Sequence, residues 1–120
     1  MREFSFERLV AWQEARKLNL SIYKLTKSFP DEERYGIISQ IRRASISVSS
    51  NLVEGNSRYT SKDKARFFEI SYGSLMELLN QVILSLDLKY LKEENYILVR
   101  GEIEKVASLI EGLRKFHSKK

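Results

Sequence analysis

At 120 residues the chain is long enough for one hydrophobic core and too short for two, and its 42% hydrophobic and 31% charged residues are those of a folded polypeptide rather than a disordered one. It has no cysteine, which excludes disulfides, thiolate catalysis and zinc–thiolate sites. The net charge of +5 is concentrated: residues 34–66 carry Arg34, Arg42, Arg43, Arg58, Lys62, Lys64 and Arg66 against Glu54 and Asp63, while the segments on either side balance to zero.

A single proline and five glycines favour a few long helices over many strands and turns. The first residues, Met1 to Ser5, lack the apolar run of a signal peptide. No stretch approaches the roughly 20 apolar residues that span a bilayer. A soluble, cytoplasmic domain covering residues 1–120 is expected.

Apolar residues at alternating steps of three and four mark one face of a helix. Ala11, Ala15, Leu18, Ile22, Leu25 and Phe29 follow that rule and predict a first helix over about 6–27. Pro30 followed by Asp31, Glu32 and Glu33 reads as a helix start, because proline fits the first turn and carboxylates suit the positive dipole end. A second helix is predicted from there, over 31–54. Within it, Ala44–Ser50 alternates with period two and taken alone reads as a strand. The longer stripe of Ile37, Ile41, Ala44, Val48 and Leu52 favours a helix, and a lone strand would have no ladder partner. Gly55 suits a C-terminal stop in the left-handed conformation, and Thr60-Ser61-Lys62-Asp63 suits a capped restart. The third helix, over 61–88, carries Ala65, Phe68, Tyr72, Leu75, Leu79, Val82 and Leu86. Glu93 and Glu94 open a fourth, over 93–116, with Tyr96, Val99, Ile103, Val106, Ile110 and Leu113. Short connections make consecutive helices antiparallel, so the expected fold is an all-α, up-and-down four-helix bundle.

Two surfaces stand out. Opposite the core stripe of the third helix runs a second one, Phe67, Ile70, Ser74, Glu77, Gln81, Leu84 and Leu88. Its apolar members would be exposed in an isolated bundle, and Trp12, Leu20 and Tyr23 stand off the core stripe of the first helix in the same way. Such a surface marks a protein interface, here a homo-oligomer, unless an irregular bundle buries part of it. The back of the second helix carries Arg43, Ser47, Ser50 and Glu54. The expected interface residues are Trp12, Arg43, Ser47, Glu54, Phe67, Ile70, Ser74, Glu77 and Leu84, with Arg43 meeting Glu77 of a neighbouring subunit. The other surface is basic. Arg42, Arg43, Arg58, Lys62, Lys64 and Arg66, with Tyr59 among them as a stacking side chain, form the candidate nucleic-acid contact. A solvated basic face that only aids solubility is the competing reading.

Catalysis is not expected. The one histidine, His117, lies in a Lys/Ser-rich tail, which leaves no imidazole base for the core. Neither Glu-x-x-His motif of a di-metal bundle exists, and no phosphate-binding glycine pattern occurs. No metal, cofactor or small-molecule substrate is implied.

Phe6, Leu9, Trp12, Gln13, Ala15, Ile22-Tyr23, Leu25-Thr26, Phe29-Pro30, Glu33, Tyr35-Gly36, Ser39-Gln40, Arg42-Arg43-Ala44, Ser47, Asn51, Glu54-Gly55, Phe68, Gly73-Ser74, Glu77 and Tyr90-Leu91 together form a pattern. Over about residues 4–91 it resembles the bacterial four-helix bundle proteins encoded in intervening sequences of large-subunit ribosomal RNA genes. The accessory variability protein of diversity-generating retroelements looks like a relative. The resemblance implies a ring-like homopentamer associated with RNA or ribonucleoprotein machinery. The sequence departs from it at Val53, where alanine is usual, and at Asp87-Leu88-Lys89-Tyr90, which replaces the more usual glycine before that tyrosine. Two functions are carried forward: a non-enzymatic oligomer that binds nucleic acid through a basic surface, or an oligomeric protein-interaction scaffold without nucleic acid.

Overall fold

The computed structural model describes residues 1–119. Its regular elements are α1 (Val10–Thr26), α2 (Ile37–Asn56), α3 (Ser61–Asp87) and α4 (Glu93–Ser118), with single 3-10 turns at Ser5–Arg8 and Asp31–Glu33. Each helix packs against the next and α4 returns to α1, while the Cα atoms of the diagonal pairs α1/α3 and α2/α4 stay more than 8 Å apart across the shared core. That is the up-and-down four-helix bundle, and the period-two serine segment is helical within α2.

The middles of the predicted stripes of α1 and α4 are buried, with Leu25, Tyr96 and Leu113 half-buried at their ends. Ala11, Ala15, Leu18 and Ile22 meet Val99, Ile103, Val106 and Ile110, with Ile41, Ala44, Val48 and Leu52 of α2 completing that side of the core. Each large member contributes about 1.5–3 kcal/mol by leaving water. In α3 the face is turned from its predicted position. Phe68, Leu75 and Val82 are buried as expected, but their buried companions are Phe67, Ser71, Leu78, Gln81 and Ser85, while Tyr72 and Leu79 are only half-buried. Serine can occupy this seam because its hydroxyl finds a carbonyl: Ser71 donates to Val48 O at 2.7 Å and Ser85 to Gln81 O at 2.8 Å.

Three boundaries differ from the sequence reading. Residues 5–8 form their own 3-10 turn, so α1 begins at Val10. Pro30 does open a turn, but that turn closes at Glu33 and α2 starts only after Gly36. The carboxylate of Glu33 explains the restart: Oε1 accepts from Ile37 N at 3.4 Å, and Oε2 accepts from the Tyr90 hydroxyl at 2.7 Å. The same hydrogen bond raises the Tyr90 pKa above the ordinary phenol value, since losing the proton would set two negative charges together. Gly55, expected as a left-handed stop, lies inside the last turn of α2 and is buried there, with a negative φ. A Cβ on it would sit 2.8 Å from Phe68 Cε1 and 3.0 Å from Phe67 Cβ, so glycine is what lets α3 approach.

Candidate nucleic-acid interface

The connection of α2 to α3, residues 57–60, is held by hydrogen bonds at both ends. The Ser57 hydroxyl donates to Glu54 O at 2.7 Å, Arg58 N donates to Gly55 O at 3.2 Å, and the Lys64 ammonium reaches back to Asn56 O at 2.8 Å. On the far side Thr60 caps α3 by accepting from Asp63 N at 3.1 Å. The turn is thereby set before any partner arrives.

Phe67, in the second turn of α3, organises the cations around it. The Arg58 guanidinium carbon lies 4.4 Å from its ring centroid and that of Arg66 lies 4.7 Å away. These two guanidiniums cover the ring, which is why Phe67 is buried at 9% exposure instead of standing on an open apolar stripe as the sequence suggested. Arg58 also lies 3.7 Å from Glu54, an exposed pair of small energetic weight. Lys62 and Arg66 converge with Arg114 of α4 on one open cleft of about 410 Å³, shared with Asp63, Glu69 and Ile70.

The remaining basic residues of the 34–66 segment are not part of this cluster. Arg42 is committed to α1: its Nε donates to Thr26 Oγ1 at 2.9 Å, an Nη donates to Tyr23 O at 3.4 Å, and the guanidinium stacks 4.5 Å from the Tyr23 ring. Arg43 is exposed and forms neither a hydrogen bond nor an ion pair among the described residues, but lies about 20 Å from Arg58 along α2 at 1.5 Å per residue. Lys64 spends its charge on the carbonyl end of α2. The cluster that the fold assembles is thus Arg58, Lys62 and Arg66, extended by Arg114 of α4, whose guanidinium also pairs with Glu111 at 3.3 Å, with Tyr59 wholly exposed at 101% on the turn beside them. Arg114 was missed in the sequence although the signal existed, since an up-and-down bundle returns the end of its fourth helix to the start of its third.

The other predicted surface is the outer side of α2 and α3. Ser47 and Ser74 hydrogen-bond to each other at 2.8 Å across the seam, and Asn51 adds a bond to the Ser47 hydroxyl at 3.1 Å, so both serines serve the contact within the chain. Trp12 is half-buried, edge-on to Phe6 with centroids 5.0 Å apart. Ile70, Leu84 and Leu88 are exposed, as are Arg43, Glu54 and Glu77. Arg43 precedes Ser47 by one turn and Glu77 follows Ser74 by one turn in the antiparallel partner, so the two are level, yet no ion pair joins them among the described residues.

Among the described residues, no group of three or more His, Cys, Asp or Glu side chains could hold a metal ion, and no helix is long and apolar enough to cross a membrane. The fold and surface define a class: a small all-α bundle with a basic end and a partly apolar flank. Residues 7–112 match the family described as 23S rRNA-intervening sequence protein, and the chain belongs to that family. Among solved structures it is similar to a protein of unknown function from the S23 ribosomal protein family of Bacteroides thetaiotaomicron, with a TM-score of 0.82. The two are 19% identical over 88% of this chain and 96% of the other, a likeness of fold. No curated protein matches the sequence.

Proposed function

We propose that the protein is a non-catalytic, self-associating bundle that binds RNA through its basic end, with Arg58, Lys62, Arg66 and Arg114 as the phosphate-contacting side chains. The observation that carries this reading is the convergence of Lys62, Arg66 and Arg114 on one cleft next to the guanidiniums held on Phe67. Cations fixed by packing lose less freedom on meeting phosphate than freely rotating ones, which favours binding over a merely solvated face. Membership in a family named for intervening sequences in 23S rRNA supports RNA as the polyanion. Assembly into a ring, for which five copies is the expectation, would repeat the basic end around the axis and multiply weak contacts into useful affinity. The exposed Ile70, Leu84 and Leu88 of α3 support self-association.

The test is RNA binding by fluorescence anisotropy as a function of salt. Wild-type protein should bind with a log–log slope of about −0.7 per phosphate contacted on single strands. Changing Lys62, Arg66 and Arg114 together to glutamate should abolish binding while the oligomeric mass by light scattering stays the same. Absence of RNA affinity in the wild type at low salt would overturn the reading in favour of a protein-interaction scaffold.

A further inference from the structure

We infer that the basic end selects unpaired RNA, with the Tyr59 ring as a stacking platform for an extruded base. This rests on the RNA reading above and goes further, since phosphate contacts alone do not distinguish a single strand from a duplex. Of the tyrosines with a use inside the fold, Tyr90 holds Glu33 and Tyr96 accepts from Arg100 at 2.6 Å. Tyr59 has none. Its ring is fully in water at 101% exposure and its hydroxyl makes no hydrogen bond among the described residues. Yet the turn that carries it is braced from both sides, by Ser57 and Arg58 on α2 and by Thr60 and Lys64 on α3. An aromatic ring on a set turn, adjacent in the chain to Arg58 and three residues before Lys62, presents a π-face on the segment that carries these cations. That is the combination by which single-stranded nucleic acid is held without sequence preference: charge along the backbone and a ring under a base. A base inside a duplex offers no free face to a ring on a convex turn, and the A-form helix encloses its bases in stacks.

The other end of the bundle provides an internal control. Tyr35 is also exposed, at 89%, but it follows Asp31, Glu32, Glu33 and Arg34 in the chain, so the segment that carries it is acidic where the segment around Tyr59 is basic. Phosphate gains less from that segment than from the one around Tyr59. Exposure alone would make the two tyrosines equivalent; charge makes only Tyr59 a platform.

The experiment measures anisotropy of the full chain with three labelled RNA probes: a mixed-sequence single strand of about 12 nucleotides, the blunt duplex of the same sequence, and a hairpin presenting it as a loop. Wild type should bind the single strand and the loop at least about 10-fold more tightly than the duplex. Tyr59→Leu should weaken single-strand binding by about 5- to 100-fold, the range seen for loss of one base–aromatic stack. Its salt slope should stay unchanged, because no phosphate contact is removed. Tyr59→Phe should retain affinity, and Tyr35→Leu should match wild type. Equal binding of duplex and single strand, or full affinity in Tyr59→Leu, overturns the inference and leaves the RNA reading standing. Binding to none of the probes overturns both. A change of oligomeric mass in Tyr59→Leu would mean that a second copy covers the ring, and that too overturns it.

Discussion

Lys89 holds a φ of 64°, the sole positive φ at a non-glycine position among the described residues. It closes α3 in a Schellman arrangement, with Tyr90 N donating to Ser85 O and Lys89 N to Leu86 O, each at 2.9 Å. A side chain in that conformation crowds its own carbonyl, which glycine avoids. Lys89→Gly is therefore expected to stabilise the fold by about 0.5–1 kcal/mol after allowing for the greater freedom of glycine in the unfolded chain. A rise in Tm of about 3–5 °C by calorimetry would agree with that; a fall would mean that the lysine stem packs more favourably than its exposure suggests. The resemblance to a family with glycine before the tyrosine pointed to this position, but the strain itself is a backbone fact. Other residues were illegible for a different reason. Arg42 counted as a free cation in the sequence because its acceptor, Thr26, lies in another helix and only the packing of α1 on α2 supplies it. Glu33 read as a dipole partner, whereas its two oxygens join the start of α2 to Tyr90, 57 residues away.

Among the elements, α1 and α4 were legible because the apolar residues off their core stripes are few, so the stripe at steps of three and four fixes the rotation of each helix. The apolar arc of α3 is wide enough for several rotations. Phe68, Leu75 and Val82 satisfy all of them, and the choice falls to Ser71, Ser85 and Gly55, small residues whose value depends on what faces them. Gly55 is the sharpest case. Its absent side chain admits Phe67 and Phe68, and Phe67 in turn carries Arg58 and Arg66. Gly55→Ala should force the two helices apart at this end, at a cost of about 1–3 kcal/mol from overpacking. The urea midpoint should fall with far-UV helicity preserved. If the basic cluster is positioned by Phe67 as described, RNA affinity should fall by a larger factor than the lost fraction of folded protein. Loss of stability with full affinity in the folded fraction would show that the cations do not depend on the ring.

At the scale of the molecule, the principal extents are 45 × 33 × 24 Å, and α3 keeps Ile70, Leu84 and Leu88 in water. Arg43 and Glu77, level across the α2–α3 seam, are exposed and without an ion pair among the described residues. In a closed ring the contacts are head-to-tail, so Arg43 on α2 of one subunit can meet Glu77 on α3 of the next. The same two residues are level across the seam of a single chain, so a coupling between them has two sources that must be separated. A charge swap does so when read by two methods. Arg43→Glu and Glu77→Arg should each reduce the oligomeric mass measured by light scattering, and the double variant should restore it. The monomer's Tm, measured below the concentration at which subunits associate, should then show no coupling beyond the roughly 0.2–1 kcal/mol of an exposed pair. Restored Tm with no restored mass would place the pair within one chain and remove it from the interface. Because cations drawn into a subunit contact are lost to phosphate, the swap should also leave RNA affinity per subunit unchanged, as expected if Arg43 belongs to assembly and the Arg58–Arg66 cluster to RNA.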